Sequence, residues 1–283
     1  MTGDSRPATL YVVATPLGNL GDLSPRAAEV LRTVPVVAAE DTRRTRQLLS
    51  HLGAHPRLVS FHAHSDRDRV EQLAALLESG NAVALVSDAG TPAISDPGAA
   101  LVSAVRNRGG NVVPVPGPSA VVAALSACGF PADRFLFLGF LPRKGSERDR
   151  LLAQIAESEY SVVLFEAPLR LASLLEDLAR KAGPDRPAAV ARELTKLHEE
   201  TRVGTLDELS RHYGETEPRG ECTVVVRGTE VQPGNRDPAL ARDLASRLLS
   251  SGISRREAAR QVATETGLSR NDAYRLVMEL PER

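Results

Sequence analysis

Tryptophan is missing from this chain, and all aromatic residues together make up 4% of it. Its core must therefore be assembled mainly from Ala, Val and Leu. The only two cysteines, Cys128 and Cys222, are far apart, which excludes a disulfide scaffold and a Cys-rich zinc site and fits a reducing cytosol. The N-terminus lacks a basic stretch followed by an apolar signal core. No run approaches the roughly 20 apolar residues that a membrane span needs. A cytoplasmic protein without membrane contact is expected. The net charge is −1, so a nucleic-acid partner would have to be met by a local basic patch. Standard nucleotide and hydrolase signatures are missing too. No G-x-G-x-x-G follows a strand, and there is no Walker A sequence, G-x-S-x-G elbow or H-E-x-x-H pair. His62 and His64 share a strand end, but two His without a third ligand are more often surface than metal site, and no metal is expected.

What is present is ordinary soluble composition, 42% hydrophobic and 25% charged, at a length that suits two domains with a small appendage. Short apolar runs at 10–14, 34–39, 58–61, 82–87 and 111–116 alternate with helical segments. These helices lie at Ser24-Pro25 to Arg32, Thr42–Leu52, Asp66–Ser79 and Gly98–Arg108. Strands alternating with helices imply crossovers and a parallel sheet covered on both faces, placing a first α/β lobe at 8–115. A second α/β lobe at 116–231 opens with a small-residue helix from Pro118 to Cys128. Strands follow at 135–139, 161–165, 188–191, 200–204 and 222–227, with helices at 147–157 and 168–181. Its last strands need not be parallel, so a mixed sheet is expected. Gln232–Asp237 reads as a linker. The tail, 236–283, reads as three short helices resembling a helix-turn-helix module, with Gly252 and Gly267 at the turns. Ser254-Arg-Arg-Glu257 and Ser269-Arg-Asn-Asp272 form capping boxes. The tail holds nine arginines and seven acids, a net of +2.

Three strand-end loops stand where α/β sheets bind ligands. Thr15-Pro-Leu-Gly-Asn-Leu-Gly-Asp22 reads equally as a tight turn or a loop whose backbone comes close to a ligand. Ser87-Asp-Ala-Gly-Thr-Pro-Ala-Ile-Ser-Asp-Pro-Gly98 carries two Asp, two Gly and two Pro directly after a buried strand, more than a plain connector needs. Val115-Pro-Gly-Pro-Ser119 opens a helix whose first N–H groups, at Ser119 and Ala120, suit a carboxylate. It equally suits a stiff hinge.

Taken in order, YVVATPLGNLGDLSPRA, AAEDTRRTRQLL, VSDAGTPAISDPG, PVPGPSAVVAALSACG, FLFLGFLPRKG, ARELTKLHEE and RGECTVVV resemble the ribosomal RNA small subunit methyltransferase I family, of the tetrapyrrole methylase fold. The likeness spans about residues 9–227, and the tail resembles that family's helical extension. It implies a two-lobed fold with S-adenosylmethionine in the cleft, a homodimer, and 2′-O-methylation of a cytidine in the decoding region of 16S rRNA. Carried over by motif, Pro16 and Leu17 touch the cofactor, Asp88, Gly90, Thr91 and Ile94 line it, and Ser119 and Ala120 hold its amino-acid end. Glu166, Arg192 and Gly220-Glu221-Cys222 close the adenine side. One departure is visible: Leu169 stands where the family usually has a His, so a role for that His does not carry over. A tetrapyrrole C-methyltransferase and a non-catalytic RNA-binding protein are the rival readings. The former typically carries G-D-P and an aromatic where this chain has Asp88-Ala-Gly-Thr-Pro92.

A ribose hydroxyl needs a base nearby. The candidates are Glu40, Asp41, Glu193 and Lys196, with Asp41, Glu193 and Lys196 the catalytic expectation. Ion pairing with Arg43 and Arg44 is an equal alternative for Glu40 and Asp41. Contacts to small-subunit ribosomal RNA are expected from Arg43, Arg44 and Arg46, from Arg143, Lys144, Arg148 and Arg150, and from Arg255, Arg256 and Arg260. Each can equally be a solvated face.

Overall fold

A computed structural model describes residues 9–62, 67–216, 218–229, 238–266, 268 and 270–280. His64, Asp66, the 232–237 linker, Gly267 and Ser269 lie outside the described residues. The residues up to Arg227 form one compact unit, and those from Gly228 on form a second.

In the first unit, β1 (Thr9–Val13), β2 (Val36–Ala39), β3 (Arg57–Ser60), β4 (Val83–Val86) and β5 (Asn111–Val115) form one sheet. All its neighbours are parallel, in the order β3-β2-β4-β1-β5. Parallel neighbours require crossovers. These contain α1 (Pro25–Thr33), α2 (Thr42–His51), α3 (Arg67–Glu78) and α4 (Ala99–Asn107). The period-two geometry of β2 shows why its apolar run is unbroken. Val36 and Ala38 join Leu73, Leu77 and Leu101 on one face, while Val37 and Ala39 join Ala27, Leu31 and Leu49 on the other. The Ser24 hydroxyl accepts from the Ala27 N–H at 3.1 Å, and Pro25 starts α1 where a missing N–H costs nothing. Because β4, β1 and β5 are neighbours, the three loops that follow them leave the sheet side by side at its carboxyl edge.

The helix α5 (Ala120–Cys128) stops at Gly129, whose φ is 74°, a C-terminal position that favours glycine. The second sheet runs β6-β7-β10-β8-β9, with β6 (Phe135–Phe140), β7 (Ser161–Glu166), β8 (Pro187–Arg192), β9 (Glu200–Thr205) and β10 (Cys222–Val226). Only β6 and β7 are parallel, joined through α6 (Ser146–Glu157); the other three pairings are antiparallel. The mixed sheet expected from the sequence is present. One face packs on α6, α7 (Pro168–Ala182) and α8 (Leu206–Glu215) through Ile155, Leu171, Leu174, Leu178, Leu206 and Leu209. The other packs on α5 through Val121, Ala124 and Leu125. The sequence reading omits α8. Its signal is Thr205-Leu-Asp-Glu208, a capping box in which the Glu208 N–H donates to Thr205 Oγ1 at 3.2 Å and the Thr205 N–H donates to the Glu208 carboxylate at 2.9 Å.

The second unit comprises α9 (Pro238–Ser250), α10 (Arg255–Thr266) and α11 (Arg270–Met278). Ala241, Ala245, Ala258, Ala259, Val262, Ala273 and Val277 make its core. Ser254 Oγ accepts from the Glu257 N–H at 3.3 Å, the first half of the expected capping box.

Candidate active site

Three hydrogen-bonded ties bring the strand-end loops together. Thr15 and Gly90 exchange two backbone hydrogen bonds of 2.9 Å, forming an isolated antiparallel bridge. The Thr15 hydroxyl donates to the Ser87 carbonyl at 3.1 Å, and the Thr91 hydroxyl donates to the Pro118 carbonyl at 3.2 Å. Gly90 has φ +81°, and a Cβ there would stand 3.3 Å from Leu17 Cδ2. A larger residue would push into the loop that Leu17 belongs to.

The loops line a cleft with the second sheet's ends. Of the residues expected there, Leu17, Gly90, Thr91, Ile94, Ser119, Ala120, Glu193, Lys196, Glu221 and Cys222 line it. Ala89, Asp96, Val121, Phe140, Phe165, Leu194 and Thr223 line it as well, and sequence reasoning did not single them out. Phe140 reaches the cleft past a bulge in β6, where the register shifts between Phe137 and Gly139; bulges re-aim the side chains that follow them. Phe140 and Phe165 have ring centroids 5.6 Å apart.

Backbone strain is concentrated here. The non-glycine residues with positive φ among those described are Ala93 (68°), Ser95 (62°), Glu193 (51°) and Thr195 (68°). All lie in the loops after β4 and β8, which supply Asp96, Glu193 and Lys196 to the cleft, where strain of this kind is held in place by surrounding structure. Lys196 Nζ donates to Glu193 Oε1 at 2.8 Å, and the lysine's aliphatic chain covers Gly18, where any Cβ would overlap it. Glu193 in turn lies on Gly220, which has φ +75° and no room for a Cβ beneath the carboxylate. Gly220→Ala is expected to displace Glu193, break its pair with Lys196 and weaken cofactor binding about tenfold. Calorimetric titration checks this.

The remaining expected residues stand behind the lining. Asp88 Oδ1 accepts from the Asp41 N–H at 2.9 Å, and its other oxygen lies 3.6 Å from Arg44, so this aspartate ties the end of β4 to the start of α2. Asp41 is the N-cap of α2; its carboxylate accepts from the Arg43 N–H at 2.8 Å and from the Arg43 guanidinium at 2.9 Å. Those bonds hold its pKa down at about 2, which makes it a weak base. The ion-pair alternative describes the bonds Asp41 makes. Glu166 is 1% exposed and accepts from the Ala167 N–H at 2.8 Å and from the Arg170 guanidinium. Arg192 donates to Glu200 at 2.5 Å. Pro16 is half-buried in the first loop. Burial pushes the Cys222 thiol up to about 11, leaving it protonated and unreactive. Leu169 is 81% exposed. Among the described residues no group of three His, Cys, Asp or Glu is placed to hold a metal ion, and no helix is long and apolar enough to cross a membrane.

The family model for Tetrapyrrole (Corrin/Porphyrin) Methylases matches residues 9–210. The chain is 45% identical over 273 residues to the ribosomal RNA small subunit methyltransferase I of Synechocystis sp., covering 96% of this chain and 98% of that one. With the protein of that name from Xylella fastidiosa (strain Temecula1) it shares 46% over 272 residues, covering 95% and 99%. With that from Escherichia coli O157:H7 it shares 41% over 280 residues, covering 98% and 97%. The chain belongs to the ribosomal RNA small subunit methyltransferase I family. Among solved structures it is similar to the methyltransferase CobJ, with TM-score 0.60 and 19% identity over 78% of this chain and 95% of that one. It is also similar to a uroporphyrin-III C-methyl transferase from Thermus thermophilus complexed with S-adenyl homocysteine, with TM-score 0.56 and 20% identity, covering 78% and 97%. At those identities the likeness is one of fold, and it confirms the tetrapyrrole methylase architecture expected from the motifs.

In this family member the cations expected at RNA divide into three kinds. Arg148 is largely buried, donating to Asp177 at 2.7 Å and to the Pro142 carbonyl at 3.0 Å. Arg255 donates to the carbonyls of Val277, Met278 and Leu280 at 2.9–3.2 Å, satisfying the open C-terminus of α11. Both guanidiniums are thus committed to the fold. Arg43 and Arg44 are exposed but pair with Asp41 and Asp88. Arg46, Arg143, Lys144, Arg150 and Arg256 are exposed and form no ion pair with a described residue. Arg260 pairs with Glu257 at 2.7 Å.

Proposed function

We propose that this protein transfers a methyl group from S-adenosylmethionine to the ribose 2′-hydroxyl of a cytidine in the decoding region of 16S rRNA. One observation carries the reading: six of the seven motifs shared in order with the family, all but Ala38–Leu49, supply residues to a single cleft. The cleft suits the cofactor. Ser119 caps α5 without a side-chain hydrogen bond, so the first-turn N–H groups stay available for a carboxylate. Phe140 and Phe165 offer apolar surface to adenine, and Asp96, Glu193 and Glu221 offer negative charge to a cation.

When bound, S-adenosylmethionine supplies a methyl made electrophilic by its sulfonium. The chain's own contribution is positioning, which can remove a large share of a barrier. The bridge between Thr15 and Gly90 fixes the first two loops, and the pair formed by Glu193 and Lys196 fixes the third wall.

For RNA, the favoured contacts are Arg46, Arg143 and Lys144 in the first unit and Arg256 in the second. Arg256 shares a groove with Arg260 and Tyr274, a combination of cations and an exposed ring that suits an unpaired base. Arg256→Ala is expected to lower RNA affinity and reduce the salt dependence by about one counterion, with little change in stability. Arg255→Ala is expected to do the reverse, costing about 1–2 kcal/mol of tail stability. Thermal unfolding of the full chain, set beside filter binding at several salt concentrations, separates the two.

The same reading makes the protein a cytoplasmic homodimer, which light scattering checks. The deciding experiment is mass spectrometry of small-subunit RNA from cells with and without this protein. A cytidine 2′-O-methyl that disappears with the protein is the expected result. An unchanged RNA methylation pattern overturns the reading and reopens a tetrapyrrole C-methyltransferase or a non-catalytic RNA-binding protein.

A further inference from the structure

Leu197 is 92% exposed and Leu169 is 81% exposed, the two highest values among the large apolar side chains of the described residues. Single exposed apolar residues are ordinary, so their placement decides whether they matter. Cys222, the first residue of β10, pairs with Glu166 at the end of β7 and with Arg192 at the end of β8. The strand β6 runs parallel to β7. The segments after β6, β7 and β8 therefore leave the second sheet at one edge. That edge carries exposed Arg143 and Lys144, then Leu169, then Leu197 and His198. It also supplies Phe140, Phe165, Leu194 and Lys196 to the cleft. Leu197 follows Lys196 directly, which puts it at the cleft's rim.

The loop is built to hold Leu197 out. Glu193 and Thr195 have positive φ. The Lys196 N–H donates to the Glu193 carbonyl at 2.9 Å, and the Glu199 N–H donates to the Lys196 carbonyl at 3.1 Å. The Thr195 N–H donates to the Glu199 carboxylate at 2.6 Å. These bonds close the loop on both sides of Leu197 and His198. The Thr195 hydroxyl is buried without a hydrogen-bond partner among the described residues. A flexible connector would need neither the strained backbone nor the orphaned hydroxyl.

We propose that Leu197 is a wedge that enters the base stack of the RNA beside the target nucleotide and keeps that nucleotide unstacked while its ribose reaches the cleft. This rests on the 2′-O-methylation reading above. A ribose within a paired segment is held in place by the stacked bases on either side of it, and apolar side chains are what proteins insert between base steps to part them. Unstacking costs free energy. A leucine held out in water offsets part of that cost when its own surface is buried between bases. The stiff loop serves this, because a side chain already in place loses little freedom on binding. Arg143 and Lys144, farther along the same edge, suit phosphates of the flanking chain. An apolar tip with free cations beside it fits a nucleic acid better than the apolar face of a protein.

The test compares the full-length parent with Leu197→Ala and Leu197→Met on three substrates: assembled small subunits, protein-free small-subunit RNA in its paired form, and an unpaired oligonucleotide carrying the same cytidine. Leu197→Ala is expected to unfold at the parental temperature and to bind S-adenosylmethionine within about twofold of the parent, as a surface substitution should. Its kcat/KM should fall about tenfold or more on assembled subunits and on paired RNA. On the oligonucleotide, which has little stack to open, it should stay within about threefold of the parent. Leu197→Met, apolar and of similar volume, should recover most of the loss. A readout independent of turnover is the fluorescence of 2-aminopurine placed next to the target cytidine in the paired RNA, with S-adenosylhomocysteine in the cleft. Saturating parent should brighten it, and saturating Leu197→Ala should not. Parental kcat/KM of Leu197→Ala on paired RNA overturns the wedge. So does an equal loss on all three substrates, which marks a disturbed cleft. So does a loss confined to assembled subunits, which marks contact with a subunit protein instead. A parent that methylates a base rather than a ribose overturns the substrate reading, and mass spectrometry of the product tells that failure from the others.

Discussion

Gly90→Val is expected to lower S-adenosylmethionine affinity at least about 100-fold, equivalent to ~2.7 kcal/mol, and to leave methyl transfer undetectable. At φ +81° a Cβ costs about 1–2 kcal/mol, and a β-branched side chain is a clear outlier in that region. The backbone cannot relax cheaply, because the Gly90 N–H and carbonyl are both bonded to Thr15 at 2.9 Å. The added methyls would enter the space between Leu17 and Pro118, which is the wall the cofactor is proposed to face. Gly90→Ala should show a smaller loss of the same kind. Calorimetric titration is the measurement, with thermal unfolding beside it to confirm a folded chain. Affinity within threefold of the parent would remove this loop from the binding surface.

The largest expected loss of stability belongs to Glu166→Ala. Family resemblance gives Glu166 a place beside adenine, whereas the structure gives it bonds within the fold. It ends β7 with its carboxylate buried, accepting from the Ala167 N–H and from Arg170. Ala167 is the N-cap of α7 and has no capping side chain of its own, so its neighbour's carboxylate serves the helix start. The helix it starts carries Leu171, Leu174, Leu175 and Leu178, all 0% exposed. Truncating one partner of a buried pair costs about 3–5 kcal/mol; partial exposure of Arg170 lowers this to about 2–3 kcal/mol. At about 2–4 °C per kcal/mol for a domain of this size, Tm should drop by roughly 5–10 °C. Cofactor affinity of the folded variant should change less than tenfold. A parental Tm with a large loss of affinity would return Glu166 to the adenine side.

Local rules carried most of the architecture. Unbroken apolar runs such as Val36–Ala39, the Ser24-Pro25 start and the Gly129 stop can be read from the sequence because each depends on residues within a turn or two. The same rules reach α8 through Thr205 and Glu208, a box that was present to be read. The glycine- and proline-rich loops after β1, β4 and β5 were legible as binding loops, and their order identified the family.

Long-range partners decided the rest. Arg143 and Arg148 look alike in the sequence, as do Arg255 and Arg256. Yet Arg148 meets Asp177 29 residues on, and Arg255 meets carbonyls 22 to 25 residues on. Nothing within a helical turn of either arginine announces this. Asp96 is the same case in the cleft. In the chain it sits in Ser-Asp-Pro-Gly, which reads as a turn. Only when β2, β4 and β10 bring Glu40, Asp88 and Glu221 near it, and folding half-buries it, does it become a cleft carboxylate whose pKa is raised to about 6. The sequence by itself determined the two-sheet body, the three loops and the family. The tertiary structure decided which charges serve the fold and which face the cleft, because a charge takes its role from groups that the chain brings near it only by folding.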